Sequence, residues 1–200
     1  MKLSIGVDEA GRGPWAGPVF AGLVVLNDEQ EKVLIEAGVT DSKKVTAKKR
    51  ENLFELILRN STFAKVKYYD IDIIDTIGIY KATKELIKQL VLELNEDFLF
   101  ENKVLIDGLF PKFVLLNSKQ EVVTHECIIK GDSKVTSIAA ASILAKVRRD
   151  KFMEELDKKY PDYQFAKHKG YGTKLHFDLL QKLGPCECHR KSFKPVKDLQ

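Results

Sequence analysis

Two adjacent carboxylates near the N-terminus are the first residues of this sequence that could do chemistry. Asp8 and Glu9 stand in the stretch GVDEAGRGPWAGP, directly after an alternation of Leu3, Ile5 and Val7 that is typical of a β-strand. The glycines and prolines that follow predict an irregular loop. Acids at the junction of an apolar strand and a loop are costly to explain by folding alone, so we interpret them as ligand-binding groups.

Two further acids occupy similar positions later in the chain. Asp107 follows the apolar run of VLIDGLF and precedes a glycine, and Asp132 stands in a Gly-Asp-Ser turn before a long helical pattern. Each has a purely structural alternative: Asp107 could form a turn before glycine, and Asp132 could cap the helix.

Four carboxylates without histidine ligands favour hard divalent cations, Mg²⁺ or Mn²⁺, over zinc. Two such ions can clamp a phosphodiester, since one activates the attacking water and the other stabilises the departing oxygen. The acids Asp8, Glu9, Asp107 and Asp132 therefore predict metal-dependent chemistry on a phosphodiester.

The charge distribution points to a polyanionic partner. Residues 1–129 hold 17 basic and 20 acidic side chains, whereas residues 130–200 hold 16 basic and 9 acidic ones. A basic C-terminal part beside an acidic cluster suits an enzyme that acts on nucleic acid, although a solvated lysine-rich surface is the plainer alternative.

Length and composition favour one soluble domain over residues 1–200. Of the 200 residues 44% are hydrophobic, and the longest apolar stretches are too short or too interrupted to span a membrane. Without a signal-peptide pattern, and with three scattered cysteines, the chain is expected to be cytoplasmic.

The periodicity of apolar residues predicts a mixed α/β fold. Strands are expected near 3–8, 18–26, 62–69 and 103–107. Helices are expected over 46–60, with Thr46 as the cap, 79–95 and 134–159. A mixed sheet flanked by helices, with a basic helical region over about 134–200, is the architecture this order favours.

The motifs in their order resemble those of type 2 ribonucleases H, the bacterial ribonuclease HII family. The shared segments are DEAGRGP-x-AGP (8–18), DSKK (41–44), LIDG (105–108), KGD (130–132), AASILAKVRRD (140–150), YPDYQFAKHKGYGT (160–173) and HRKSF (189–193). The resemblance runs nearly end to end, and it implies a ribonuclease H-like sheet with a helical C-terminal region.

The resemblance implies a role for particular residues. The family's metal-binding, catalytic acids fall on Asp8, Glu9, Asp107 and Asp132, and its readers of the ribose 2′-hydroxyl fall on Gly11, Arg12, Gly13 and Tyr171. Ser42, Lys43 and Lys44 look suited to phosphate contacts, with Asp41 as a loop acid that positions them. For Tyr171 the structural alternative is a buried ring between two turn glycines.

The activity implied is hydrolysis of RNA paired with or joined to DNA. The expected cut lies 5′ of a ribonucleotide, including one embedded in duplex DNA, and leaves a 3′-hydroxyl and a 5′-phosphate. A monomer is expected. The alternatives are a type 3 ribonuclease H, another nuclease of the same fold, or a non-catalytic duplex-binding protein.

Several conspicuous residues are not assigned to the site. Asp150 is interpreted as a structural ion-pair acid, and His168 as a surface residue of a lysine-rich loop. The segment CECH (186–189) lacks the fourth ligand of a closed structural zinc site. Gln89 and Leu90 resemble part of a sliding-clamp motif, but their helical context does not support a clamp contact.

Overall fold

A five-stranded mixed sheet forms the centre of the molecule. The computed structural model describes residues 2–40, 42, 45–111 and 113–199. The strands of the sheet are β1 (Ser4–Ala10), β2 (Val19–Leu26), β3 (Phe63–Tyr69), β4 (Val104–Asp107) and β7 (His125–Ile128), in the spatial order β3-β2-β1-β4-β7. A separate short hairpin pairs β5 (Leu115–Leu116) with β6 (Val122–Val123).

Helices flank this sheet and dominate the C-terminal part of the chain. They are α1 (Asp28–Glu36), α2 (Ala47–Arg59), α3 (Ile71–Ile77), α4 (Ile79–Val91), α5 (Glu96–Phe100), α6 (Thr136–Lys159), α7 (Phe165–His168) and α8 (Lys174–Leu183). Short 3-10 turns cover Gly131–Ser133, Pro161–Tyr163 and Val196–Leu199. The predicted α/β class, with a mixed sheet and a helical C-terminal region, is confirmed.

The directions of the strands decide where their ends meet. β1 runs antiparallel to β2 but parallel to β4, and β4 runs parallel to β7. Val7 lies beside Ile106 in the β1–β4 register, so the next residues, Asp8 near the end of β1 and Asp107 at the end of β4, lie side by side. The carboxyl ends of three strands therefore share one edge of the sheet.

Two glycines let α6 lie directly on the sheet. A Cβ built on Gly6 would lie 2.2 Å from the backbone carbon of Ser137, and one built on Gly22 would lie 2.4 Å from the carbonyl oxygen of Ala141. Ala139, Ala140 and Ala141 are buried at this contact, as expected for small residues at a close helix-to-sheet approach. The close contact places the N-terminal half of α6 behind Asp8, whose side chain accepts a hydrogen bond from Ser142 of this helix.

Helices cover both faces of the sheet at strand β2, which is buried throughout. Leu23 and Val25 of β2 pack with α4 on one face, while Val24 and Leu26 pack with α2 and α6 on the other. Alternate strand residues point to opposite faces, which explains why β2 reads as a continuous apolar run. Leu90 belongs to the first core and is fully buried, so this part of the helix serves packing.

The predicted boundaries agree with the structure to within a few residues. The predicted cap of α2 is confirmed, because the Thr46 hydroxyl accepts the Lys49 amide at 3.4 Å. The helix predicted over 79–95 ends at Val91. Strand β7 was not predicted, although it forms the sheet edge beside the fourth acid. In the described part of the chain, none of the helices is both long enough and apolar enough to cross a membrane.

Candidate active site

The four predicted acids converge at one edge of the sheet. Asp8 and Glu9 lie near the end of β1, Asp107 is the last residue of β4, and Asp132 lies in the 3-10 turn that follows β7. Because these three strands are parallel to one another, the sheet itself brings together acids that are more than 120 positions apart in sequence.

Asp8 is buried and surrounded by both stabilising and repulsive groups. Its side chain accepts the Glu9 amide at 2.7 Å and a hydrogen bond from Ser142, and only 5% of the residue is exposed. Burial, followed by the negative charges of Glu9 and Asp107, holds the pKa of Asp8 well above its usual range. A positive ligand at this edge would relieve both the burial penalty and the repulsion.

Glu9 presents a buried oxygen that has no hydrogen-bond partner. Its Oε1 lies 3.3 Å from Arg12 Nη1, but Oε2 lacks a partner among the described residues. Burial raises the pKa of Glu9, and Arg12 opposes this effect. A buried polar atom left unpaired normally costs free energy, so its presence marks a place for a ligand. The all-oxygen donor set and this unpaired oxygen fit a hard divalent cation.

Asp107 is connected to the turn that carries Asp132. The Gly131 amide donates to Asp107 Oδ1 at 2.6 Å, and Gly108, with φ of +88°, turns the chain away after the strand. Asp132 itself is buried in that turn. It does not begin α6, because the cap position belongs to Val135, which makes no side-chain capping bond. The alternative role of Asp132 as a helix cap is therefore wrong.

Two buried arginines, Arg190 and Arg149, bind the backbone carbonyl oxygens of the loop that contains Gly-Arg-Gly. Arg190 donates from Nε to Gly17 O, from Nη1 to Arg12 O and from Nη2 to Gly11 O, at 2.8, 3.0 and 2.6 Å. Burial and the nearby Arg149 charge lower the pKa of Arg190 to about 9, which leaves it cationic at neutral pH. Its three donors therefore fix the loop through charge-assisted hydrogen bonds.

Arg149 joins the same loop to the segment that carries Tyr171. Its guanidinium donates to the carbonyl oxygens of Pro18, Ala16 and Lys169 at 3.2, 3.2 and 2.9 Å. Its Cζ also lies 5.4 Å from the centre of the Tyr171 ring. The two predicted recognition elements are thus parts of one connected structure.

The glycines of the loop have different surroundings. Gly11 has φ of +99°, and a Cβ there would lie 2.1 Å from Arg149 Nε. Gly13 is exposed. A Cβ built on Gly13 would have no heavy atom of the described residues within 4 Å. Gly11 is therefore required for packing, whereas Gly13 leaves open space in the loop that follows the paired acids. Arg12 spans this region, with its Cζ 5.7 Å from the centre of the Phe110 ring.

Tyr171 is an accessible ring rather than a buried one. It is 39% exposed, with Lys146 Nζ lying 5.7 Å from the ring centre. Its backbone is held at both sides, because its amide donates to His168 O at 2.8 Å and its carbonyl accepts from Thr173 N at 2.8 Å. The buried-ring alternative is therefore wrong, and the ring is available to a ligand.

The segment 41–44 is described only in part. Asp41, Lys43 and Lys44 lie outside the described residues. Ser42 is only 3% exposed, and its hydroxyl is 2.9 Å from that of Ser142, the side chain that bonds Asp8. This burial argues against a direct phosphate contact by the Ser42 hydroxyl. Ser42 instead helps to position Asp8 indirectly, because it hydrogen-bonds Ser142, which in turn hydrogen-bonds Asp8.

Of the residues left out of the predicted site, Asp150 behaves as expected and His168 does not. Asp150 pairs with Lys146 at 2.6 Å and with Arg50 at 3.8 Å, which confirms a structural ion pair. His168 is buried and stacks on His176 with ring centres 4.2 Å apart, so its prediction as a surface residue is wrong. Burial lowers the pKa of both histidines, that of His176 to about 4, and keeps them neutral.

The supporting role of the two arginines was not predicted from the sequence. Arg149 and Arg190 stand in the motifs AKVRRD and HRKSF, but their charge suggests surface residues. Their partners are backbone carbonyl oxygens, which no side-chain pattern reveals. The only available signal was the position of each arginine inside a segment shared with the resembling family.

A mixed sheet that carries acids at the ends of parallel strands, with a long helix packed on its face, defines a nuclease of the ribonuclease H class. The family model for ribonuclease HII matches residues 5–196. The chain is 52% identical over 194 residues to a ribonuclease HII of Caldicellulosiruptor bescii, covering 96% of this chain and 86% of the relative. The chain belongs to the ribonuclease HII family, and it is a ribonuclease H endonuclease.

Solved structures agree with this assignment. A ribonuclease H2 of Pyrococcus horikoshii has a TM-score of 0.80 and 26% identity, covering 98% of this chain and 96% of that one. The ribonuclease HII from the PCNA complex of Archaeoglobus fulgidus has a TM-score of 0.78 and 25% identity, covering 96% and 95%. The family match favours type 2 over the type 3 alternative and over a non-catalytic binder.

Proposed function

We propose that this chain cuts the RNA strand of RNA/DNA hybrids, and cuts duplex DNA on the 5′ side of a single embedded ribonucleotide. The products are a 3′-hydroxyl and a 5′-phosphate. The observation that supports this proposal is that two buried and two half-buried acids share one edge of the sheet, while Arg149 joins the loop that follows Glu9 to the segment of the accessible Tyr171 ring. Removal of ribonucleotides from DNA is the role that follows.

Asp8, Glu9, Asp107 and Asp132 are the proposed catalytic ligands of the divalent metal on which the family depends. Their oxygen-only set suits Mg²⁺ or Mn²⁺, and the unpaired Glu9 Oε2 supplies a ready ligand atom. When bound, two such ions supply an activated water and charge stabilisation of the leaving oxygen. The protein's part is to hold the carboxylates close together, with Ser142 and the Gly131 amide orienting Asp8 and Asp107.

Gly11, Arg12, Gly13 and Tyr171 are the proposed readers of the sugar. The open space at Gly13 admits a close backbone approach, and a ribose 2′-hydroxyl can both donate to and accept from peptide groups there. The Tyr171 ring can stack on the neighbouring deoxyribose. Lys43 and Lys44 are proposed to bind phosphate, a role for which Ser42 is too deeply buried.

One chain supplies all of these groups, so a monomer is sufficient for the proposed reaction. We propose the cytoplasm as its location, because that compartment of a bacterium contains the DNA and keeps the three free cysteines reduced. A sliding-clamp contact is not part of the proposal.

Substitution of Tyr171 tests the recognition step. Tyr171→Ala is expected to slow single-turnover cleavage at one embedded ribonucleotide on the order of a hundredfold, because a scissile phosphate misplaced by about 1 Å loses that much rate. Tyr171→Phe is the matched control, since it keeps the stacking face and the cation contacts, and it should stay within a few-fold of wild type. Circular dichroism and thermal unfolding check that both variants fold.

A duplex carrying a 2′-O-methyl ribonucleotide completes the test. The methyl group removes the donor and adds bulk, so wild-type enzyme should cut it far more slowly than the matched ribonucleotide. Equal cutting of the two substrates by wild type would contradict hydroxyl-directed recognition. So would Tyr171→Ala cutting the ribonucleotide duplex as fast as wild type does.

A further inference from the structure

A second cluster of potential ligands lies in the C-terminal tail, beyond α8. The metal-ligating atoms of Cys186, Cys188 and His189 all lie within 4.8 Å of one another. The two Sγ atoms are 2.8 Å apart, and Cys186 Sγ is 3.1 Å from His189 Nδ1. Gly184, with φ of +73°, ends α8, and the His189 amide then closes a turn onto Cys186 O at 3.0 Å. A local turn thus gathers two thiols and an imidazole that the proposed nuclease reaction does not use.

The hydrogen bonds of the neighbouring histidine fix the ring of His189 in a ligating state. His176 Nδ1 lies 3.0 Å from the carbonyl oxygen of Tyr171, which can only accept, so this nitrogen carries the proton. His176 Nε2 must then accept from His189 Nε2, 3.0 Å away. His189 is left with an unprotonated Nδ1, and that nitrogen faces the two thiols.

This arrangement is the one in which a histidine binds metal. A metal-ligating imidazole donates its other N–H to a fixed acceptor, which orients the ring and sets the tautomer. Here His176 is that acceptor, held in turn by the Tyr171 backbone. The Cys186 amide donates to His189 Nδ1 at 3.0 Å, and metal binding would exchange that hydrogen bond for a coordinate bond.

The cluster borders a cavity whose charged lining residues are mainly acidic. His189 and Cys188 are almost fully buried, whereas Cys186 is partly exposed. Cys188 and His189 line a cavity of about 750 Å³. Carboxylates outnumber lysines among the cavity's charged residues, which are Asp70, Asp72, Asp75, Glu187, Lys159 and Lys191. A cation can therefore reach the cluster through a region that attracts positive charge, in contrast to the basic character of the C-terminal part as a whole.

We propose that Cys186, Cys188 and His189 form a binding site for a thiophilic divalent cation of the Zn²⁺ class, separate from the acidic edge of the sheet. Two thiolates and one imidazole are ligands that such a cation prefers over Mg²⁺. Among the described residues the cluster offers three ligands, so water would have to supply the fourth and the site is not a closed structural one. Binding displaces one proton from each thiol, and the two thiolate charges neutralise the ion. Through His176 the bound ion also stabilises the backbone at Tyr171.

Metal analysis of the full-length protein tests the site. Protein saturated with Zn²⁺ and then desalted should retain one ion per chain, and the double variant Cys186→Ser, Cys188→Ser should retain none. Cys127→Ser is the matched control, because it removes a partly buried thiol from strand β7 and should leave the stoichiometry at one. Co²⁺ should give thiolate-to-metal absorption bands in wild type and in the control only. Mg²⁺-dependent cleavage should persist in the double variant.

The role of His176 provides a second, independent readout. His176→Phe keeps a ring in the aromatic cluster but removes the acceptor for His189, so Zn²⁺ affinity measured by competition with a chromophoric chelator should fall about 10- to 100-fold. Absence of zinc from fully reduced wild type would overturn the proposal. So would equal zinc in the double variant, or Co²⁺ bands without thiolate character. A chain that forms a Cys186–Cys188 disulfide and binds no metal after reduction would assign the cluster to redox chemistry instead.

Discussion

The acidic edge of the sheet and the two arginines that bind the Gly-Arg-Gly loop both contain buried charge. They differ in whether groups of the chain itself compensate that charge. At the edge, Asp8 and Glu9 lie against each other and against Asp107, and Glu9 Oε2 has no described partner. Arg149 and Arg190, although also close to each other, each donate three hydrogen bonds to carbonyl oxygens. Apart from the Arg12 contact with Glu9, the described residues leave the charge of the first group uncompensated, whereas the second group is compensated within the chain.

This difference separates a ligand site from a scaffold. A buried charge without a partner costs several kcal/mol unless a ligand supplies the opposite charge, so an uncompensated cluster survives only where a ligand binds. A buried charge saturated by backbone groups needs nothing further and fixes the geometry around it. The acids are therefore expected to control the chemistry, and the arginines to control the shape of the loop that places the substrate.

The largest effect is expected at the acidic edge. Asp107→Asn keeps the size of the side chain and an oxygen that can accept the Gly131 amide, but it removes a ligand charge. A loss of several kcal/mol of transition-state stabilisation lowers the rate about a hundredfold or more, since about 1.36 kcal/mol corresponds to tenfold. Single-turnover cleavage should fall by this amount while duplex binding, measured by fluorescence anisotropy, remains.

Glu126→Gln is the matched control for that loss. Glu126 is an exposed acid of β7 whose only described ion pair, with Lys103, is 3.8 Å long, and its substitution should leave cleavage within a few-fold of wild type. Cleavage by Asp107→Asn within a few-fold of wild type would remove Asp107 from the metal site. Because Asp132 does not cap α6, Asp132→Asn is also expected to damage cleavage without affecting the helix.

The sequence was sufficient to locate the ligand site but not the scaffold. Asp8 and Asp107 could be found because apolar runs ending in an acid mark strand ends, and parallel strands bring such ends together. Strand β7 is only four residues long and partly polar, so its pattern is too weak to predict the edge beside Asp132. Asp132 was correctly placed in a turn before the long helix, but the strand that brings this turn to the edge of the sheet was not predicted.

The supports were missed for a different physical reason. Arg149 and Arg190 bond to carbonyl oxygens that every residue possesses, so no side-chain type identifies their partners. The burial of His168 likewise follows from stacking on His176 and from bonds to Tyr163 O and the Gly170 amide. Such tertiary hydrogen bonds depend on the completed fold rather than on local pattern.

The scaffold side of the comparison predicts a large effect on stability. Arg190→Lys keeps the positive charge but cannot serve three carbonyl oxygens in the plane of a guanidinium, so buried acceptors are left unpaired. The free energy of unfolding in urea should fall by about 3 kcal/mol or more. Arg59→Lys, at an exposed position at the end of α2, should change it by less than about 0.5 kcal/mol. Equal effects of the two substitutions would show that the Arg190 hydrogen bonds contribute nothing to the stability of the fold.

The smallest expected effect is a change in the free energy of unfolding. It tests the comparison most directly, because its sign should be opposite for substitutions of Asp8 and Asp150. In the metal-free protein Asp8 is destabilised by burial and by neighbouring charges, so Asp8→Asn should raise the free energy of unfolding by about 1 kcal/mol, measured in urea with EDTA present. Asp150 pairs with Lys146 and Arg50, so Asp150→Asn should lower it by about the same amount. Added Mg²⁺ should stabilise wild type and Asp150→Asn by mass action, and should stabilise Asp8→Asn much less. If Asp8→Asn destabilises the metal-free protein as Asp150→Asn does, the carboxylates at the sheet edge are compensated within the chain, and the distinction between an uncompensated ligand site and a compensated scaffold fails.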